Sequence, residues 1–221
     1  MQYVVEEVAG RIRAVIEHQS YSEEYIIGLG ITVCGVVDCA NGIILDSGGL
    51  WDDKNVPIVD KLRDVFSFPV IAANSVRSFA NAYIFLQRDQ KAQNMLFIRN
   101  EATMGVTLFL DGQFYGGNRE VFDGIAHYTV IPDGRLCSCG KRGCLSTVAT
   151  QDGMMESLRE RFGKESTPLL YRQTEGVFSR LTFPMFVDAA CNGDKGALEI
   201  LENAQEAFAN AVTFSIRLLS V

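Results

Sequence analysis

One histidine and three cysteines, His127, Cys137, Cys139 and Cys144, fall within eighteen positions of this chain. Imidazole nitrogen and thiolate sulfur are the donors of tetrahedral zinc, and a set of four closes the shell. A catalytic zinc keeps an open position and takes three protein ligands, so the pattern predicts a structural Zn2+ rather than a reactive one. Gly140 and Gly143, inside the motif, let the backbone turn tightly enough for the sulfurs to converge. The competing reading is a group of buried cysteines beside an unrelated histidine. It fits less well, because Cys-x-Cys followed by a third Cys rarely arises in a packed core. The other cysteines, Cys34, Cys39 and Cys191, are scattered through apolar or strand-like segments and read as small buried hydrophobes. That usage suits a reducing cytoplasm better than a disulfide framework.

Several elements must position these donors. Val4, Val5, Val8, Ile12, Val15 and Ile16 recur at helical spacing and predict an amphipathic first helix with one buried stripe. Residues 26–38 are rich in β-branched side chains and read as one buried strand, which Asn41-Gly42 turns back into 43–45 as a hairpin. Pro57 opens a helix through Ile58, Leu62, Val65 and Phe66. A short apolar strand over 69–73 follows, then a helix through Phe79 and Tyr83. Two strands, 95–99 and 106–110, begin a new sheet, with Asp111-Gly112 as the turn into Phe114 and Tyr115. Beyond the cysteines the chain turns helical over 155–162 and 182–191. Asn192-Gly193 stops that run, and Asp194 can cap a long last helix whose stripe is Leu198, Leu201, Phe208, Val212, Ile216 and Leu219. This stripe reads as core rather than binding surface. Strands and helices in this order predict an α/β chain of two lobes. The lobes are expected at 1–88 and 89–221, divided by the polar stretch Gln87 to Gln93.

Bulk properties exclude other classes. The 221 residues, 48% of them apolar, can bury a sizeable core. A net charge of -7 and the lack of a basic stripe argue against direct nucleic-acid contact, which draws its free energy from clustered Lys and Arg. Glu6 and Glu7 interrupt any secretory leader, and no apolar run is long enough to span a bilayer, so a cytoplasmic protein without membrane contact is expected. Gly28-x-Gly30 does not open a helix and offers no dinucleotide fingerprint. Trp51, Asp52 and Asp53 form an acidic loop between glycines, of a kind more often solvated than functional. His18 ends its helix, where a cation suits the dipole.

Gly124-Ile-Ala-His127 followed by Cys137-x-Cys139-Gly140-x-x-Gly143-Cys144-Leu145 resembles the zinc signature of the ROK family of bacterial sugar kinases and sugar-responsive repressors. Along the chain, Ile27-Gly-Leu-Gly-Ile-Thr-Val-Cys-Gly35-Val-Val-Asp38 is similar to the family's glycine-punctuated strand. Pro69-Val-Ile-Ala-Ala-Asn74 is similar to its sugar-site strand, and Leu110-Asp-Gly-Gln-Phe-Tyr-Gly-Gly117 to a recurring hairpin. The resemblance implies an actin-like ATPase (ribonuclease H-like) fold, two lobes around a cleft where a sugar hydroxyl attacks ATP. It also implies pieces beyond both ends, a phosphate hairpin ahead of the first helix and an adenosine-binding glycine motif after Val221. The fold is therefore expected to be incomplete at both ends, with an exposed sheet edge that favours a homo-oligomer.

Family kinases need a carboxylate to take the hydroxyl proton, supplied by the Asp of an Asn-Asp pair. This chain reads Asn74-Ser75 there. The family's Gly-Thr-Gly phosphate loop corresponds to Glu101-Ala102-Thr103, where a carboxylate would repel phosphate. Two sugar-contacting glutamates correspond to Gly124 and Ser146. Asn74 and His127 remain as sugar-binding residues, with a strand-end turn residue the alternative for Asn74. No catalytic residue is expected. The resemblance thus implies the non-catalytic sensing and oligomerising core of a transcription regulator, with a small sugar effector and a structural zinc, and a divergent sugar kinase as the alternative.

Overall fold

The computed structural model describes residues 2–19, 22–86, 94–116 and 124–219. The expected lobe boundary at Gln87 to Gln93, and Gly117 of the hairpin motif, lie outside the described residues. The chain divides into two compact units, Met1–Phe97 with Thr107–Phe122, and Ile98–Val106 with Asp123–Val221.

In the first unit, α1 (Gln2–His18) leads through a 3-10 turn (Glu23–Tyr25) to β1 (Leu29–Val33), β2 (Val36–Asp38) and β3 (Ile43–Asp46). Then come α2 (Ile58–Arg63), β4 (Val70–Asn74) and α3 (Ser75–Leu86). β1 pairs with β4 in parallel, Leu29 opposite Val70 and Val33 opposite Asn74, while β2 and β3 are antiparallel. Val70 and Ala72 are buried and Ile71 between them is exposed, the alternation of a strand with one covered face. Val33, Val37, Ile44, Val59, Leu62, Phe66 and Val70 belong to the shared core.

The expected single strand over 26–38 is in fact two. At Gly35 the chain passes so close to β3 that a Cβ would lie 2.0 Å from the Asp46 carbonyl oxygen. Only glycine permits that approach. The chain pivots there, so β1 joins β4 and only β2 completes the expected hairpin. The stripe on α1 also needs correction. Val5 and Ala9 are buried and Ile12 and Ile16 pack beside them, but Val15 is 62% exposed. At 3.6 residues per turn, Val15 lies about 90° around from the line through Val5 and Ile16.

A three-stranded sheet follows, ordered β5 (Met95–Asn100), β6 (Met104–Leu110) and β7 (Gln113–Phe114), and the division between units cuts through β5 and β6. Asp111 and Gly112, both at positive φ, make the expected turn. Within the first unit, Arg77 of α3 stands 4.6 Å over the Phe114 ring.

The second unit continues with α4 (Ser146–Ala149), α5 (Gln151–Arg161), α6 (Pro168–Gln173), a 3-10 turn (Phe178–Arg180), α7 (Phe183–Cys191) and α8 (Lys195–Leu219). Helix α8 packs against α4, α5 and α7. Thr150 caps α5 by accepting from the Gly153 N–H at 3.0 Å. Asp194 is fully buried and bridges two helix starts. Its Oδ1 accepts from Ala197 N–H (3.2 Å) in α8, and its Oδ2 from Leu169 and Leu170 N–H (2.9 and 3.3 Å) in α6.

The expected apolar stripe of α8 is rotated. Its buried residues are Ala197, Ile200, Ala204, Ala211 and Ser215, whereas Leu198 and Ile216 are 37% and 43% exposed. The inward line lies about 85° from the large side chains. Small residues let neighbouring helices approach closely, so they take the contact line. Cys34 and Cys191, expected in the interior, are exposed, Cys34 at the Gly35 pivot and Cys191 at the end of α7. No helix among the described residues is long and apolar enough to cross a membrane.

Candidate metal centre

After the turn at 124–127, the chain returns on itself twice. Thr129 bridges Cys144, and Leu136 bridges Arg142, both antiparallel. Cys137 N–H donates to the Lys141 carbonyl (2.8 Å), and Gly140 N–H to the Cys137 carbonyl (2.9 Å), closing a knuckle around Cys139. Gly143 sits at φ +66°, and a Cβ on it would lie 1.6 Å from the Ile131 carbonyl oxygen. A larger residue cannot occupy that position without opening the knuckle. Leu145 N–H donates to the Tyr128 carbonyl and Ser146 N–H to that of Ala126 (2.8 and 2.9 Å), holding Cys144 beside His127.

These returns bring all four predicted ligands together. One donor atom from each of His127, Cys137, Cys139 and Cys144 lies within 4.8 Å of every other. The Cys139 and Cys144 sulfurs are 3.7 Å apart, and Cys137 Sγ is 3.4 Å from His127 Nδ1. Two sulfurs about 2.3 Å from a tetrahedral zinc are separated by about 3.8 Å, and a sulfur and an imidazole nitrogen by about 3.6 Å. Both measured edges already have nearly those lengths, so the residues fit a four-coordinate ion and the cluster could hold a metal.

The thiols also differ in a way a cation would relieve. Burial pushes the Cys137 thiol up, but the Cys139 N–H, the Ser146 hydroxyl and the Cys139 and Cys144 thiols outweigh it, bringing it from 9.0 to about 6. Cys144 is pushed up to about 12 by burial and by the other two sulfurs. One thiolate therefore forms readily and a further one is opposed by it. A divalent cation removes that conflict by neutralising both.

The strand end in the first unit is arranged differently. Asn74 Oδ1 accepts from Val76 and Arg77 N–H (2.8 and 3.2 Å), so its side chain caps α3. Its Nδ2 donates to the Gly35 carbonyl at 2.8 Å, tying β4 to the pivot. Ser75 is buried, and its hydroxyl donates to Cys34 Sγ at 3.4 Å. In the second unit, the Glu101 carboxylate lies 3.7 Å from Arg99 Nε, in the turn between β5 and β6. Trp51 packs against the first unit's core, and its indole N–H is buried without a hydrogen-bond partner among the described residues.

The sequence profile of the ROK family matches residues 2–221. The chain belongs to the ROK family. It is 28% identical over 216 residues to the glucokinase of Thermotoga maritima, covering 97% of this chain and 67% of that protein. It is 26% identical over 186 residues to the DNA-binding transcriptional repressor Mlc of Escherichia coli, covering 84% of this chain but 44% of the repressor. The chain therefore spans less than half of that relative's length. Among solved structures, a ROK family transcriptional regulator homologous to the E. coli MLC protein superposes with a TM-score of 0.79 at 22% identity, over 98% of this chain and 53% of that one. A ROK glucokinase from Streptomyces griseus, in complex with glucose and AMPPNP, gives 0.78 at 20%, over 97% and 69%. The mixed α/β fold is thus the actin-like ATPase fold that the motifs implied.

Three supports around the ROK motif were not foreseen from sequence. Lys141 Nζ donates to the His127 carbonyl at 2.9 Å. The Ser146 hydroxyl lies 3.5 Å from Cys137 Sγ. Arg135 donates to the Thr147 and Gly153 carbonyls (2.8 and 3.0 Å) and to Ser157 and Glu160, binding the knuckle to α4 and α5. Lys141 and Arg135 carry no sequence signal, since a basic residue in a loop ordinarily reads as solvated. Ser146, directly after Cys144-Leu145, stood out in the sequence only as the counterpart of a sugar-contacting glutamate, not as a support of the cysteines.

Proposed function

We propose that this chain is the non-catalytic sensing and oligomerising core of a sugar-responsive ROK transcription regulator, stapled by a structural zinc on His127, Cys137, Cys139 and Cys144. The observation that carries the first half is the end of β4. Where the family motif has an Asp base, Ser75 is buried with its hydroxyl spent on Cys34. A hydroxyl cannot take a proton near neutral pH, and losing a general base typically removes about a hundred- to ten-thousand-fold in rate. The donor set and the two edge lengths support the second half. When bound, the ion supplies cross-linking of the knuckle and no reaction step.

The effector in this reading is a small sugar, met by His127; the side chain of Asn74, the other expected contact, is engaged in the α3 cap and on the Gly35 carbonyl. With Nδ1 turned toward the sulfurs, Nε2 is the atom through which His127 would meet a hydroxyl. The oligomer is a homo-oligomer, and this chain makes no direct nucleic-acid contact. The decisive test incubates the protein and its Ser75→Asp variant with magnesium-ATP and a panel of hexoses and amino sugars. The expected result is no phosphoryl transfer by the wild-type chain and a rise in melting temperature with one sugar, since a ligand bound only to the folded state stabilises by mass action. Turnover by the wild type would overturn the reading.

The second reading, a divergent sugar kinase whose base comes from elsewhere, draws on the 28% identity to a glucokinase over nearly the whole chain. It requires magnesium-ATP binding, which titration calorimetry measures directly.

A further inference from the structure

Ser146 opens α4 and is held at both of its backbone polar groups. Its N–H donates to the Ala126 carbonyl (2.9 Å), and its own carbonyl accepts from the Thr150 hydroxyl (2.7 Å). That clamp sets the side chain 3.5 Å from the Cys137 sulfur. Cys137 is buried, whereas Cys139 is exposed. A metal-bound thiolate has no proton of its own to give, so in that pair the hydroxyl must be the donor. Cys139 can draw donors from water, but a buried thiolate must find them in the protein. Ser138 offers the other nearby hydroxyl, 4.0 Å from the same sulfur and on an exposed residue.

We infer that Ser146 is a positioning residue of the metal centre, its hydroxyl orienting and steadying the Cys137 sulfur for the ion. The inference rests on the metal reading proposed above. It assigns this position work on the metal ligand, where the family resemblance placed a sugar-contacting glutamate. Groups that hydrogen-bond to a ligand fix its orientation and tune its donor strength, and their loss typically weakens metal affinity by about 10- to 100-fold.

The test compares wild type, Ser146→Thr, Ser146→Val and Ser138→Ala. Thr and Val have nearly the same shape, so that pair isolates the hydroxyl. Each protein is loaded with zinc and titrated against a chromophoric chelator, and each is also loaded with cobalt(II) to record the thiolate-to-metal charge-transfer band. The expected result is a loss of affinity of about 10- to 100-fold in Val. Thr keeps wild-type affinity, Ser138→Ala is unchanged, and the cobalt band shifts in Val alone. A purely structural role for Ser146 would leave that band in place. Equal affinity and an equal band in Thr and Val overturn the inference, as does a loss in Ser138→Ala matching that in Val. Elemental analysis showing no metal in wild type after loading overturns the metal reading itself, an outcome separate from equality of the variants.

Discussion

The knuckle around His127 and the end of β4 use similar polar material in opposite ways. In the knuckle, backbone hydrogen bonds and Gly143 hold the chain so that four side-chain donors converge on one point. At the end of β4, Asn74 and Ser75 turn their side chains back onto the chain, to the start of α3, to the Gly35 carbonyl and to Cys34. Converging donors leave electrostatic demand for an external partner, seen in thiols pushed in opposite directions. Donors turned inward meet that demand internally and stabilise the backbone. The first pattern is that of a site for a ligand, the second that of a joint in the scaffold.

The largest effect should come from breaking the convergence. Cys144 is fully buried, and its replacement by Ser substitutes a poorer ligand without changing the shape much. Metal content should fall from about one ion per chain to near zero. Because structural zinc in small domains is bound with about 10–16 kcal/mol, part of which is folding free energy, chelation of the wild type should destabilise the second unit by that part. Metal analysis with thermal melts, before and after chelator, measures both. An unchanged melt would show that the knuckle is held by its hydrogen bonds alone.

Asp194 sharpens the comparison by removing a support of the same unit that involves no metal. Its carboxylate serves two helix starts from a buried position. Loss of a cap costs about 0.5–2 kcal/mol, and each hydrogen bond to a charged group about 1.5–3 kcal/mol. Asp194→Ala should therefore lower stability by about 2–4 kcal/mol in denaturant titration while leaving metal content unchanged. Should Asp194→Ala destabilise more than chelation does, the helix caps and not the ion would be the main brace.

How much of this was legible in the sequence depended on how local the cause was. The convergence of His127 with the three cysteines and the Asp194 cap were readable because residue type and spacing alone define them. The strand break at Gly35 was not, since the close approach to Asp46 involves a partner that the β-branched run does not reveal. The rotation of α8 was missed for a related reason. Periodicity finds the large apolar residues, whereas the contact line is chosen by the small ones, Ala197, Ala204 and Ala211, through packing against α4, α5 and α7. The supports from Lys141 and Ser146 reach across turns and exist only once the knuckle has closed.

Asn74 tests the other side of the comparison. As the cap of α3 and the tie to Gly35, it should cost about 1–2 kcal/mol on replacement by Ala, within the usual range for an N-cap. Metal affinity should not change. A variant that lost its response to sugar while keeping full stability would reverse the assignment, making Asn74 a ligand contact first and a joint second.

The smallest effect is expected at Ser75, and its smallness is informative. The Ser75 hydroxyl donates to a sulfur at 3.4 Å, and sulfur is a weak acceptor. Ser75→Ala removes donor and side-chain oxygen together, leaving no buried polar atom behind on residue 75, so the change should stay within about 0.5–1 kcal/mol. A residue retained for chemistry would behave otherwise, with normal folding but a large loss in any nucleotide-dependent activity. Near-neutrality in the melt, with magnesium-ATP binding absent in both proteins by calorimetry, is what a scaffold joint predicts. Stability within that range together with loss of a measurable nucleotide affinity would move the end of β4 back among the sites that act on a ligand.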